Sequence, residues 1–535
     1  MNKLLNIILC LAVIVGCDEI DRYPDPGINR PSGGTTQNPG DKEDNTDPEN
    51  PGGETPENPG GETPENPGGE TPENPGGETP ETPEQPETPE TGSGWDYSPV
   101  TTATIGHAGL SYIWNENVIP EITVNVSLEQ WNKLLGLYDQ NNKTKEYIYC
   151  DVTYKSGSDT YTIKDAGLRL RGNTSRRRPE TWQNDGKHVK NGADWQHCHF
   201  GINLRKHVKD SNHEIKGIRK FNLKWFKDDP CYVRELFCYD LFRRAGIWTA
   251  AFDTYCRLWI HVEGDSKPAY FGVYEMIEPY DDKYVTKRKQ LFGSDDGNLW
   301  KCTWAQQPAD LRDVNAVFGL DNDKDDFTYE LKEYGESYTS AKAQLQDFIQ
   351  KIVGKSDESF YNWIKEVCDV ELLMRTYAVN VAVGMWDDLW NNGNNYYLYF
   401  NTTDKFNYKV FFIPYDYDNT LGTAQYDAVK QDPYNWGDRG ILMERMMKFE
   451  EFRNIYRDEL KRLVDPSSGL MDQATATQRI KVWQSRIQDY IKNDTGEDQE
   501  IKDRPASWGS YGDYRLMSTS NNYFTEKAKV INNLK

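Results

Sequence analysis

Basic residues are in short supply in this 535-residue chain: 62 Lys and Arg stand against 85 Asp and Glu, a formal net charge of −23 at pH 7. An acidic balance of this kind gives no support to nucleic-acid binding. Histidine is scarce at 7 residues, and the 9 cysteines fall at irregular intervals. Beyond Cys10 and Cys17 they are Cys150, Cys198, Cys231, Cys238, Cys256, Cys302 and Cys368, an odd number whose spacing shows no disulfide framework. Isolated buried thiols are the expectation for most of them. His197 and His199 flank Cys198 at alternate positions of a strand, which puts both imidazoles on one face. No two further ligands are in view, so zinc is not expected there.

Long apolar runs are missing as well. Leu4 to Val15 falls short of the roughly 20 residues that cross a bilayer, and with Lys3 before it residues 1–16 read as a secretory signal. Ile14, Val15 and Gly16 before Cys17 fit a bacterial lipoprotein cleavage site, which makes Cys17 the lipid-carrying first residue of the mature chain. A plain signal with an incidental cysteine is the alternative. Asp18 and Glu19 fit a surface-export signal, so the expected location is the cell envelope, lipid-anchored, in the outer membrane and exposed at the surface. Apolar residues are nearly absent from residues 17–94, where a PGGETPEN unit repeats from Pro51. Nothing there offsets the entropy of ordering, so the segment is expected to be a disordered tether, stiffened by proline and extended by like charge. Residues 18–94 hold 20 acids and 3 bases, so most of the net charge belongs to the tether and says little about partners.

Residues 95–535 are the folded part and read as α+β. Ile122, Val124 and Val126 alternate with polar residues as in a half-buried strand, and Ser127 caps a short helix after it. The stretch from Tyr147 to Gly172 gives two or three more strands. Arg171, Gly172, Asn173 and Ser175 have two readings: a turn over nucleotide phosphates with Arg171 supplying charge, or a solvated polar turn. Lys224 on a strand and Glu235 on a following helix could pair to hold phosphates, or Glu235 could stand exposed beside Arg234. A later hairpin carries Glu275 and Glu278. Cross-strand pairing alone is a sufficient reading for Glu275. Helical spacing runs from Tyr338 to Met385, and again from Ile441 to Leu463.

The 38 residues from Met385 to Gly422 crowd carboxylates and carboxamides against two apolar strands. Asp387 and Asp388 precede Asn394 and Asn395; then come Tyr396 to Phe400, a polar turn, Val410 to Ile413, and Asp416 and Asp418. A hairpin brings its ends together, so both acidic loops should face one volume. Hard oxygen ligands of this kind suit Mg²⁺ or Mn²⁺. A calcium-stabilised or merely hydrogen-bonded loop is the alternative.

These residues also carry a resemblance. NYYLYF followed by IPYDYDNTLG resembles the spore-coat CotH family of atypical secreted kinases, with Tyr415 where the family more often has Trp. RLRGNTS, VRELFCYDLFRRAG, YFGVYEMIE, GNLWK and ILMERMMKFEEFRNIYRDEL are similar to the family in the same order. The resemblance implies an atypical protein-kinase-like two-lobed fold, with a β-rich small lobe and a helical large lobe, and a C-terminal helical extension. It implies transfer of the ATP γ-phosphoryl group to Ser or Thr hydroxyls of a protein. Asp388 or Asp387 would accept the hydroxyl proton or orient the nucleophile; Asp416, Asn395, Asn394 and Asp418 would hold the metal; Arg171, Asn173, Ser175, Lys224, Glu235, Glu278 and Lys301 would hold the nucleotide. The block from Glu180 to Phe200 departs from the family, which has lysines there, and leaves Lys206, Lys220, Lys224 and Lys301 as substitutes. A catalytically inactive surface protein that binds a glycan or protein partner is the second expectation, suited to 16 Trp and 33 Tyr. A glycosidase reading lacks separate acid and nucleophile elements at a defined distance.

Overall fold

The periodicities materialise as two sheets and a set of helices. The computed structural model describes residues 96–322, 326–424, 426–497, 499–505 and 511–535. The signal, tether and Cys17 readings lie outside them. β1 (Glu121–Val126) buries Ile122, Val124 and Val126, and Ser127 accepts the Gln130 N–H at 3.2 Å to start α1 (Leu128–Gln140). β2 (Ile148–Ser156) and β3 (Asp159–Arg171) turn at Gly157, whose φ of 60° favours glycine. β4 (His199–Asn203), β5 (Lys220–Lys224), α2 (Arg234–Arg244), β6 (Asp253–Val262) and β7 (Ala269–Ile277) follow. The seven strands close into a barrel in the order β1-β2-β3-β4-β5-β7-β6. Neighbours are antiparallel except β1 and β6, which run parallel with Ile122 opposite Leu258. The fold is therefore α+β as expected, but the β-rich part is a closed barrel. Alternation along each strand could not show this, because closure depends on pairing strands more than 120 residues apart.

The second sheet has five strands in the order β12-β11-β8-β10-β9, from β8 (Asn298–Cys302), β9 (Phe318–Leu320), β10 (Tyr329–Glu333), β11 (Tyr396–Phe400) and β12 (Val410–Pro414). Between β10 and β11 the chain forms α3 (Tyr338–Gly354), α4 (Asp357–Val367) and α5 (Val370–Ala382). α5 buries residues on every side, including Leu373, Tyr377 and Asn380, and hands the chain to Met385. The expected single helix from Ile441 breaks in two. Arg453 donates to the Met447 carbonyl at 2.7 Å, closing a short turn of helix, and α6 (Glu450–Val464) restarts with two glutamates in its first turn. α7 (Gln473–Ile487) and α8 (Tyr523–Asn532) complete the chain. All seven cysteines among the described residues are buried and free. No helix among them is long and apolar enough to cross a membrane.

Candidate active site

Two residues in the left-handed backbone region mark the ends of the β11–β12 hairpin: Asn395 at φ 53° and Asp416 at φ 65°. Asn and Asp tolerate that region better than other side chains with a Cβ. Tyr396 lies opposite Pro414 and Phe400 opposite Val410, so both bends fall at one end of the hairpin. The 385–395 and 415–422 loops are neighbours for that reason.

Lys224 is the last residue of β5 and the hub of the site. Its ammonium contacts Glu235, donates to Asp416 Oδ1 at 2.5 Å and reaches Asp418 Oδ2 at 3.5 Å. Glu235 is in the first turn of α2, whose start is fixed by Asp229: that carboxylate accepts the N–H groups of Cys231, Val233 and Arg234 at 3.0, 2.8 and 2.8 Å. The Tyr417 N–H donates to Glu235 Oε1 at 3.2 Å, and the Asp416 N–H to Tyr239 Oη at 3.2 Å, which pins the second loop onto the same helix. Oxygens of Glu235, Asp416 and Asp418 all lie within 4.8 Å of one another.

Three carboxylates thus share one ammonium. Burial works against the charge of Lys224, but Asp416, Asp418 and Glu235 outweigh it and hold its pKa well above the ordinary value. Asp416 stays below the usual carboxylate range: burial opposes this, and Lys224, Lys301 and Arg171 overcome it. Burial pushes Glu235 up to about 8 against the pull of Lys224, helped by Asp416 and Asp418. Burial and then Asp416 raise Asp418 as well, again against Lys224. The cluster is short of positive charge, and its all-oxygen donor set fits a hard divalent cation.

Asp387 faces this cluster from the first loop. Asn392 and Asn394 amides donate to its Oδ1 at 2.6 and 3.0 Å, and Asn395 to its Oδ2 at 2.9 Å. Asn394 cannot be flipped, because its own Oδ1 accepts the Trp304 N–H at 2.7 Å. Burial lifts the Asp387 carboxyl to about 6; the Asn392 and Asn394 bonds oppose that rise, and Asp416 and Asp418 add to it. Asp388 points elsewhere. It is 2% exposed, accepts the Asn391 N–H at 2.7 Å and an amide of Asn380 on α5, and burial pushes it up to about 8.

The other expected residues divide. Lys301 on β8 stands between Tyr397 and Glu330, with its ammonium 5.2 Å from the Tyr415 ring centroid. Arg171 ends β3, and both cations act on Asp416. Asn173 is exposed and Ser175 half-buried on the turn beyond, which Arg176 ties down by donating to the carbonyls of Gly172 at 3.0 Å and Thr144 at 2.7 Å. Glu278 does not fit its expected role. Arg288 takes Oε1 and Oε2 at 3.0 and 2.7 Å, and Lys287 takes Oε1 at 2.9 Å. Burial opposes ionisation, yet the two cations hold the carboxyl at about 2, so Glu278 is an internal tie rather than a ligand for nucleotide. Of the lysine substitutes, Lys220 pairs with Asp281 and Lys206 lies over Tyr147; only Lys224 and Lys301 act on the acidic cluster. His197 and His199 are buried, one bonded to the Phe271 carbonyl and the other accepting the Trp225 N–H. Asn392 and Asn380 were not singled out from the sequence; the run of asparagines from Asn391 to Asn395 was the available signal for the first.

A family model described as CotH kinase protein matches residues 168–533. The chain belongs to the CotH family. No curated protein matches it. In this CotH-family protein the matched span begins on β3, so it takes in Arg171, Lys224, Glu235, both acidic loops and α8, and leaves β1, α1 and β2 before it.

Proposed function

We propose that this CotH-family protein is a kinase that transfers the γ-phosphoryl group of ATP to Ser or Thr hydroxyls of a protein, with Mg²⁺ or Mn²⁺ at the acidic cluster. The observation that carries the reading is Lys224 held between Glu235 and Asp416 while Asp387 faces the same carboxylates. A lysine, a helix glutamate and a metal-binding aspartate are the parts a phosphoryl-transfer site requires. In this reading the barrel serves as the small lobe, and the second sheet with its helices as the large lobe, of a kinase-like fold.

Asp416 and Asp418 would hold the cation, with Glu235 beside them, and the bound ion would neutralise charge on the phosphates. Lys224, Lys301 and Arg171 bind phosphate oxygens by charge-assisted hydrogen bonds. Asn394 and Asn395 orient Asp387 through their amide groups, a role different from the direct metal ligation expected of them. The acceptor oxygen bonds to the γ-phosphorus as the bond from that phosphorus to the β–γ bridging oxygen breaks. ADP leaves with the electron pair, and the hydroxyl proton passes to Asp387.

The reading includes an exported protein anchored through a lipid on Cys17 and exposed on the outer membrane. Mass spectrometry of the mature N-terminus tests that part. For the kinase, ATP with Mn²⁺ is expected to raise Tm in proportion to the logarithm of ligand concentration, and labelled ATP to mark the protein itself. Asp416→Ala is expected to lose both effects; equal label in Asp416→Ala and the parent would overturn the assignment. A binding protein without catalysis is the second reading, favoured by Trp182, which is 63% exposed. It predicts stabilisation by glycans and none by ATP with Mn²⁺.

A further inference from the structure

One face of the 385–395 loop is covered by a second loop, 437–440, that fits only because it carries glycine at both points of contact. A Cβ on Gly437 would lie 2.2 Å from the Trp390 carbonyl oxygen, and one on Gly440 2.7 Å from that of Leu389. The N–H groups of Arg439 and Gly440 both donate to the Trp390 carbonyl, at 3.0 and 3.1 Å. Arg439 is therefore carried on the backbone of the loop that presents Asp387. Its guanidinium lies 5.0 Å from the ring centroid of Trp304. The backbone N–H of Trp304 in turn donates to Asn394 Oδ1, and the Asn394 amide holds Asp387. Both Arg439 and Trp304 are partly open to solvent.

The charge on Arg439 lacks a dedicated partner. Arg312, next to it, takes the nearby carboxylates, Glu444 at 2.8 Å and Asp310 at 3.8 Å, and donates to the Arg439 carbonyl at 2.8 Å. Among the described residues no carboxylate forms an ion pair with Arg439 itself, although Asp310 lies close enough to feel its charge. A planar guanidinium supported on an indole is stiff and already partly desolvated, which suits it to a planar anion.

We infer that Arg439, seated on Trp304, recognises a carboxylate side chain of the acceptor polypeptide next to the target hydroxyl, so that the preferred substrates are acidic around the phosphorylated Ser or Thr. The inference rests on the phosphotransferase reading and adds the substrate class. Recognition of this kind works mainly by discrimination: a glutamate meets the guanidinium, whereas a lysine meets like charge.

Three peptides with one serine flanked by Glu, Ala or Lys test it on the full-length protein, by calorimetric binding and by label transfer from ATP with Mn²⁺. The parent is expected to bind the Glu peptide roughly ten-fold more tightly than the Ala peptide, and the Lys peptide more weakly still. Arg439→Ala should bring the Glu-to-Ala ratio close to one, Arg439→Glu should reverse the order in favour of Lys, and Arg439→Lys should retain part of the original preference. Equal binding of all three peptides by the parent, or an unchanged order in Arg439→Glu, overturns the inference. If binding follows the charge at residue 439 and no peptide takes label, recognition stands and the phosphotransferase reading fails instead.

Discussion

Asp387→Asn is expected to lower label transfer from ATP by a factor of about 10²–10⁴, the range for loss of a positioned proton acceptor. Asp388→Asn is expected to act on folding instead. The two carboxylates are adjacent in the chain and opposite in setting. Asp387 is held by three side-chain amides and feels Asp416 and Asp418. Asp388 is closed off by Asn391 and Asn380, and Asn380 cannot turn over because its Oδ1 accepts the Tyr417 hydroxyl at 2.9 Å. An asparagine at 388 points its N–H₂ at one of these two donors, the Asn380 amide or the Asn391 N–H, an unsatisfied buried contact costing about 1–3 kcal/mol where the aspartate is ionised, above about pH 8. Its signature is a lower Tm with transfer per folded molecule largely kept. The opposite pattern, with transfer lost in Asp388→Asn at unchanged Tm and kept in Asp387→Asn, would exchange their roles. The pH profile gives a second check. A base with its pKa at about 6 is ready above that value, so the rate should fall as pH drops through about 6. A cation at the cluster counters the charges of Asp416 and Asp418 and should move that limb to lower pH.

The second large effect is on stability. Lys527 on α8 is 0% exposed, donates to the Ala428 carbonyl at 3.1 Å and has its ammonium 4.7 Å from the Trp436 ring centroid. Burial lowers its pKa to about 7, with only Asp427 pulling the other way. Between pH 7 and about 10.5 the unfolded chain binds the proton and the folded chain releases it, so stability rises with pH across that window. Below pH 7 both states are protonated and the full cost of burying the charge remains. Lys527→Met keeps the length and apolar character of the side chain without the charge. It is expected to stabilise the domain by on the order of 3–5 kcal/mol at pH 7, and that advantage should shrink towards pH 10. Melting curves of both proteins from pH 6 to 10 measure it; an equal or lower Tm for Lys527→Met at pH 7 contradicts the account.

Much of this arrangement was legible because it is local. Alternation set β1, a serine set the start of α1, and two apolar runs around a polar turn set the hairpin that makes Asp387 and Asp416 neighbours. Lys224 and Glu235, eleven residues apart, do pair. The choice between Asp387 and Asp388 was not legible, since it depends on which side of the loop faces Asn380 at the end of α5. Nor was the loss of Glu278 to Arg288, ten residues on, because hydrophobic periodicity carries no information about buried ion pairs. Barrel closure was hidden for a similar reason: β1 finds β6 across several intervening elements, and no pattern within either strand names its partner.

That closure limits how another chain can be gripped. With its first and last strands joined, the barrel has no unpaired backbone edge, so an extended polypeptide cannot be captured there by adding a strand. The five-stranded sheet ends in β9, three residues long, and in β12, next to which Val410 already bridges to Cys368. An added strand would find little backbone to pair with, and crowded copies of the protein have little bare edge through which to zip together.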